Sequence, residues 1–177
     1  MQTHYQNVQA LRGVACLLVV LSHLTWLDAE FGRQTPGVAE ARWFGFAGVD
    51  LFFVVSGFII TATNRRSIGR PAAVPGYLAR RLWRIYPTYW AAAALSFAYL
   101  CVAFGPGRAV TPEMARGDFF RWLGLVPGGT ENQLVGQAWT LSYEVMFYVA
   151  FGVLMLGSAR VLAAGLAAWG AAVVAGL

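Results

Sequence analysis

Ionisable side chains lie inside apolar stretches of this sequence, where a charged group is costly and commonly functional. Arg12 and His23 stand at the two ends of the stretch LRGVACLLVVLSH, eleven positions apart. At 3.6 residues per turn this spacing puts both side chains on one stripe of a helix, about 16 Å apart along its axis. A guanidinium and an imidazole on one stripe indicate a track lined by water or by protein.

Two carboxylates occupy similar surroundings later in the chain. Asp50 lies in FAGVDLFFVVSGFIITA, and Glu144 lies in AWTLSYEVMFYVAFGVLML with Tyr148 one turn further on. An imidazole with nearby carboxylates is suited to general acid–base chemistry. The same residues are also consistent with a simpler role, because polar side chains in membrane helices often form interhelical hydrogen bonds or ion pairs.

The composition indicates that these residues belong to a membrane protein. Of the 177 residues 58% are hydrophobic and only 12% are charged, and the mean hydropathy is +0.57. A soluble domain carries about 25% charged residues. The net charge is +5, but a nucleic-acid-binding protein would not contain apolar runs of this length. The two cysteines, Cys16 and Cys101, lie inside apolar stretches and are typical of buried small residues, not of a disulfide or metal site.

The apolar runs predict an all-α fold, a polytopic membrane helix bundle with about five transmembrane helices. Each run approaches the roughly 20 residues that a helix needs to cross a bilayer. The predicted spans are residues 11–27, 46–62, 85–104, 138–156 and 161–177.

The arginines predict the orientation of these spans. The connection NRRSIGRPAAVPGYLARRLWR contains six arginines, and the positive-inside rule places it in the cytoplasm. The N-terminus is then cytoplasmic, and His23, Asp50 and Glu144 lie in the outer half of the membrane. Arg12 and the group of Arg80, Arg81 and Arg84 lie near the inner face. The connection 105–136 lies outside, and PEMARGDFFRWLGLV within it has the mixed pattern of an interfacial helix.

Four motifs resemble those of the acyltransferase 3 family of integral membrane O-acyltransferases. They are NVQALRGVACLLVVLSH, GVDLFFVVSGFII, YLARRLWRIYPTYW and QAWTLSYEVMFY, in the family's order over residues 7–148. The residues that match the family pattern are Arg12, His23, Asp50, Phe53, Ser56, Gly57, Phe58, Arg80, Arg81, Arg84, Ile85, Pro87, Trp139, Leu141, Glu144, Phe147 and Tyr148.

The resemblance implies transfer of an acyl group, commonly acetyl, from acyl-CoA to a hydroxyl of a carbohydrate or another envelope acceptor, which can be lipid-linked. His23 would be the general base for direct transfer, with a covalent acyl-histidine intermediate as the alternative. Either Glu144 or Asp50 would hold its tautomer and stabilise the imidazolium. The guanidiniums of Arg80, Arg81 and Arg84 suit the phosphates of coenzyme A. Arg12 would contact the same donor, or instead form an ion pair that fixes the first helix. No metal and no tightly bound cofactor are expected.

Two other classes of protein remain open at the level of the sequence. A transporter or flippase component would use His23, Asp50 and Glu144 as a polar pathway without an acyl donor. A haem or metal anchor would use His4 and His23, but more than five helical turns separate these two residues.

The resemblance also predicts that the chain is the N-terminal half of a larger bundle. Members of the family usually have about twice as many spans, and a polar track needs surrounding helices to shield it from lipid. We therefore expect a missing C-terminal half as a partner, and a 177-residue piece that is inactive alone. The expected location is the bacterial inner membrane, where the lipid bilayer is the protein's other partner.

Overall fold

The computed structural model describes residues 3–32, 38–105, 119–128, 135–136 and 138–175. The helices in these residues are α1 (Thr3–Glu30), α2 (Val38–Asn64), α3 (Val74–Phe104), α4 (Phe119–Leu123), α5 (Ala138–Leu154) and α6 (Ala159–Ala175). Short 3₁₀ turns at Arg65–Ser67 and Pro71–Ala73 connect α2 to α3. No strand occurs in the described part of the chain, so the predicted all-α fold is confirmed.

Five apolar helices overlap the five predicted spans, and the first three, α1, α2 and α3, begin eight or more residues before the predicted starts. Three contain stretches long and apolar enough to cross a membrane: Asn7–Thr25, Ala47–Ser67 and Pro71–Phe104. The two others, α5 and α6, have 17 residues each. At 1.5 Å per residue this length is about 26 Å, at the lower limit for crossing a bilayer core. Many large apolar side chains on these helices face outward, as expected of surfaces that contact lipid; examples are Leu17, Val54, Leu95 and Val102.

Contacts between residues divide the chain into two compact units, Met1–Arg66 and Ser67–Leu177. The first unit is an antiparallel hairpin of α1 and α2. Its helices approach closely because small residues lie at the contact: Ala15, Gly45 and Gly48 are all buried. A Cβ atom added at Gly48 would lie 2.7 Å from Cβ of Leu18 and 2.9 Å from the carbonyl oxygen of Ala15. Such close approach of backbones is typical of membrane helices that pack through small residues.

The second unit is built on α3, which begins at Val74 and continues past Pro87 to Phe104. Its buried residues Tyr77, Ile85, Tyr89 and Ala93 recur at multiples of four positions and therefore form one stripe. The stripe packs on α5, where the ring centroids of Tyr77 and Phe151 are 5.6 Å apart. Gly105, with φ +84°, ends α3 in the left-handed region that favours glycine.

The short helix α4 is attached to α3 through its C-terminal carbonyl groups. The hydroxyls of Tyr86 and Tyr89 donate to the carbonyls of Gly124 and Trp122, both at 2.7 Å, and the indole of Trp90 donates to Leu123 at 3.0 Å. These bonds satisfy carbonyls that a helix end leaves without intrahelical partners. The sequence predicts an interfacial helix at 112–126, and the described part of that segment begins at Phe119.

The arginine-rich connection lies at the same end of the second unit as the turn between α5 and α6. The backbone N–H of Gly69 donates to the carbonyl of Met155, 2.9 Å away. Beyond that turn, α6 packs on α5 through Phe147 and Trp169, whose ring centroids are 6.2 Å apart. Helices α3 and α5 therefore run antiparallel, with the N-terminal end of α3 beside the C-terminal end of α5.

Candidate functional site

The imidazole of His23 is held by its own helix. Its Nδ1 lies 2.8 Å from the carbonyl oxygen of Val19, one turn earlier in α1. A carbonyl oxygen only accepts hydrogen bonds, so Nδ1 carries the proton and donates it to this contact. In the neutral ring the lone pair is then on Nε2. The side chain is half-buried, and Nε2 is the nitrogen that can act as a base.

Asp50 lies at a different level of the hairpin from His23. Gly45 lies against Ser22, Gly48 lies against Ala15 and Leu18, and Phe52 lies against Arg12. This register puts Asp50 opposite the part of α1 near Cys16, roughly 10 Å along the axis from His23. The carboxylate is exposed within the described structure. The sequence offers Asp50 as one of two carboxylates that could orient the His23 ring, and this register does not support that role. The carbonyl of Val19 makes the orienting contact instead.

Arg12 is half-buried in the same hairpin, with its Cζ atom 5.5 Å from the centroid of the Phe52 ring. This is the distance of a cation–π contact. The sequence offers a contact to the acyl donor or an ion pair as roles for Arg12. The described contact of Arg12 is with an aromatic ring of α2, which fixes the two helices against each other at this level.

The three arginines of α3 differ in their surroundings. Arg81 continues the buried stripe of α3 and is itself half-buried, with its Cζ atom 6.0 Å from the ring centroid of Tyr77 and 5.8 Å from that of Tyr148. Arg80 and Arg84 lie on the neighbouring stripe, and both are exposed. The sequence treats the three as one phosphate-binding group, whereas the structure distinguishes Arg81 by its aromatic contacts.

Glu144 belongs to the surroundings of Arg81. Its carboxylate accepts a hydrogen bond from the hydroxyl of Tyr148, one turn further along α5. The ring of Tyr148 in turn contacts the guanidinium of Arg81. The sequence predicts Glu144 in the outer half of the membrane and the arginines at the inner face. In the structure the side chain of Tyr148 contacts both the Glu144 carboxylate and Arg81. The predicted difference in depth between Glu144 and Arg81 is therefore not observed within the second unit.

Three contributions to the candidate site were not predicted from the residue types. The Val19 carbonyl could not be singled out, because every residue in a helix has a backbone carbonyl four positions before it. The contacts of Tyr77 and Tyr148 with Arg81 depend on the packing of α3 against α5. The Glu144–Tyr148 hydrogen bond did have a sequence signal, since the two residues lie on one helical stripe.

The described residues contain no group of three or more histidine, cysteine, aspartate or glutamate side chains able to hold a metal ion. The side chain of His4, which a haem or metal anchor would need, lies outside those that the structure describes. Gln137, which the sequence puts on the stripe of Glu144, also lies outside the described residues.

Apolar helices that carry a few ordered polar side chains define a polytopic helical membrane protein. The chain belongs to the acyltransferase 3 family, whose model, described as an acyltransferase domain, matches residues 5–176. The resemblance found in the sequence motifs is thereby confirmed. This membership favours the acyltransferase interpretation over a transporter or a haem anchor.

Relatives in three bacteria are similar to the chain. It is 34% identical over 108 residues to the exopolysaccharide production protein ExoZ of Rhizobium meliloti, a match covering 60% of the chain and 33% of the relative. It is 33% identical over 93 residues to protein 2 in the picA locus of Rhizobium radiobacter, a match covering 52% of the chain and 44% of the relative. It is 27% identical over 160 residues to BcsY of Komagataeibacter xylinus, whose name proposes a membrane-bound transacylase, covering 85% and 37%.

These matches span between a third and less than half of the length of the relatives. No solved structure matches the chain.

Proposed function

We propose that the protein is part of a membrane acyltransferase that moves an acyl group, most simply acetyl, from acyl-CoA to a hydroxyl of an envelope carbohydrate. Its family membership supports acyl transfer. The name of the ExoZ relative refers to exopolysaccharide production, which supports a carbohydrate or a lipid-linked saccharide as the acceptor. The three relatives are bacterial, and with the arginine-rich connection this supports an inner-membrane protein with a cytoplasmic N-terminus.

The observation that carries the proposal is the contact between His23 Nδ1 and the carbonyl of Val19. It leaves Nε2 as the basic nitrogen. Nε2 removes the proton of the acceptor hydroxyl while that oxygen attacks the thioester carbonyl carbon. The carbon–sulfur bond then breaks, and the coenzyme leaves as a thiol after the imidazolium returns the proton. A general base of this kind accelerates transfer by about 10²–10⁴-fold.

Donor binding is assigned to the arginine group of α3. Coenzyme A carries several phosphate oxygens, and guanidiniums bind such oxygens through charge-assisted and often bidentate hydrogen bonds. Arg81 is the best placed of the three, because aromatic rings already limit its freedom. Arg80 and Arg84 are exposed and add positive charge that attracts the donor. Arg12 would have the supporting role of fixing α1 on α2.

Two measurements on membrane vesicles test this function, made with the chain as part of a protein of its relatives' length, because the chain alone spans less than half of that length. Incubation with radiolabelled acetyl-CoA and envelope glycans should transfer label to the glycan and release one thiol for each acetyl group. The Arg81→Ala variant should raise the KM for acetyl-CoA and leave the KM for the acceptor unchanged. Substrate uptake driven by a proton gradient, without transfer of label or binding of coenzyme A, would contradict the proposal and favour a transporter.

A further inference from the structure

The two tyrosine rings beside Arg81 are buried and therefore have fixed positions. Tyr77 is 1% exposed and Tyr148 is 3% exposed. Tyr77 also packs on Phe151, with ring centroids 5.6 Å apart. Rings packed in this way lose their rotamer freedom when the protein folds, not when a ligand binds.

Tyr148 has an additional constraint at the far end of its side chain. Its hydroxyl donates a hydrogen bond to the carboxylate of Glu144 on the same helix. The ring is thus fixed by its burial and by the hydrogen bond to Glu144 at its tip. The guanidinium of Arg81, which comes from α3, contacts this ring and the ring of Tyr77.

Neither of the neighbouring arginines has comparable support among the described contacts. Arg80 and Arg84 are exposed, and no ring contact is described for either. A long and flexible arginine loses rotamer entropy when it binds a phosphate, and aromatic rings that already order it reduce this loss. The affinity of the arginine group for a phosphate should therefore depend mainly on Arg81.

We propose that Tyr148 is a positioning residue that, anchored by Glu144, fixes Arg81 for a phosphate of the acyl donor. This inference rests on the proposed function, because it assumes that the arginine group binds coenzyme A. Within that function it assigns Glu144 to the donor side of the reaction. Glu144 then acts through Tyr148 and Arg81, and it is not the partner of the catalytic imidazole.

The test is the dissociation constant of coenzyme A measured on the full chain in lipid nanodiscs. Tyr148→Leu removes both the ring and the hydroxyl, and it should weaken binding roughly three- to tenfold, the range expected for loss of one cation–π contact. Tyr143→Leu is the matched control, because Tyr143 is on the same helix but is exposed and packs on Trp139. This control should bind coenzyme A as the unchanged protein does.

Smaller changes separate the role of the hydroxyl from that of the ring. Tyr148→Phe keeps the ring and its packing but not the bond to Glu144, and it should weaken binding about two- to threefold. Glu144→Ala should have a similar effect. Glu144→Gln should weaken binding less than Glu144→Ala, since the amide oxygen can still accept from Tyr148.

The outcomes distinguish failure of this inference from failure of the proposed function. If the unchanged protein binds no coenzyme A, the donor site itself is refuted. If it binds coenzyme A and both Tyr148→Phe and Glu144→Ala bind it equally well, the positioning role is refuted, whether or not Tyr148→Leu folds. Equal weakening by the Leu variants at 143 and 148 would also overturn it, because the effect would then not be specific to the contact with Arg81.

Discussion

Among the single residues, His23 is distinguished by a backbone carbonyl that fixes its imidazole. In many hydrolases a carboxylate holds the tautomer of the base and stabilises the imidazolium. In α1 the Val19 carbonyl makes the orienting contact, 2.8 Å from Nδ1. An uncharged acceptor in an apolar helix avoids the cost of placing a carboxylate beside the imidazole. The candidate carboxylates are then available for other roles, as inferred for Glu144.

The tautomer of His23 can be measured directly. The hydrogen bond predicts that the neutral ring is protonated at Nδ1 and unprotonated at Nε2. Solid-state NMR of ¹⁵N-histidine-labelled protein in lipid distinguishes the two forms by their nitrogen shifts. The chain contains two histidines, so a His4→Asn variant assigns the spectrum. A neutral ring protonated at Nε2 would contradict the contact with Val19 and the assignment of Nε2 as the base.

At the scale of elements, the α1–α2 hairpin depends on contacts that only small residues permit. Gly45 and Gly48 lie directly against the backbone or Cβ atoms of α1. This packing sets the register of the hairpin, and the register determines the level of each polar side chain. It brings Arg12 beside Phe52, and it separates Asp50 from His23 along the hairpin. The positions of the candidate residues in the first unit thus follow from its glycines.

Enlarging Gly48 should destabilise the hairpin. In Gly48→Ala the new methyl group would lie 2.9 Å from the carbonyl oxygen of Ala15, an atom that moves only with the helix. Overpacking of this kind costs about 1–3 kcal/mol. The melting temperature in detergent should therefore fall. Gly13→Ala is the control, since no atom lies within 4 Å of the added Cβ, and its melting temperature should stay the same or rise. Equal stability of the two variants would contradict the close α1–α2 contact.

At the scale of the whole molecule, the apolar surface and the distribution of arginines determine how the protein sits in a membrane. Large apolar side chains cover the outside of the described helices, and the arginines are concentrated between α2 and the middle of α3. In the proposed orientation, which follows the positive-inside rule, the connection from Arg65 to Ala73 is cytoplasmic and the end of α1 is outside. Donor binding by Arg81 requires this orientation, because coenzyme A is made in the cytoplasm.

Cysteine accessibility tests the orientation. In a chain whose Cys16 and Cys101 are replaced by alanine, single cysteines are introduced at Phe31 and Arg66, which are both exposed. A membrane-impermeant maleimide should label the Phe31→Cys variant in intact spheroplasts. It should label the Arg66→Cys variant only after permeabilisation. The reverse pattern would place the arginines outside and would remove their access to cytoplasmic coenzyme A.

The sequence predicts the helices well because the bilayer leaves few alternatives. A long apolar segment must satisfy its backbone hydrogen bonds internally, so each of the five apolar runs forms a helix. The sequence places Arg80, Arg81 and Arg84 at the edge of the membrane, before a span that begins at residue 85, and it misses that they are part of the same helix. These residues are helical from Val74 onward, so Arg81 lies on the stripe of α3 that packs against α5. Pro75 lies in the first turn of α3, where proline is tolerated, and the helix continues from there through the arginines.

The contacts within the candidate site were only partly predictable. Helical periodicity identifies the face of a residue, but it does not specify how far two helices slide past each other. The level of Asp50 relative to His23 depends on that sliding and therefore on the fit of Gly45 and Gly48. The Glu144–Tyr148 bond is local to one helix, and its spacing was visible in the sequence. The contact of Tyr148 with Arg81 joins two helices, and it required the structure.

We propose Nε2 of His23 as the base for acyl transfer, and the sharpest test measures transfer and donor binding separately, in the same vesicles as above. His23→Ala should lower kcat for transfer from acetyl-CoA about 10²–10⁴-fold. The dissociation constant of this variant for coenzyme A should stay within about twofold of the value for the unchanged protein, because binding of the donor phosphates is assigned to Arg81. The His4→Ala variant is the control for loss of a histidine from α1. Transfer by His23→Ala at a rate similar to that of the unchanged protein would exclude His23 as the base.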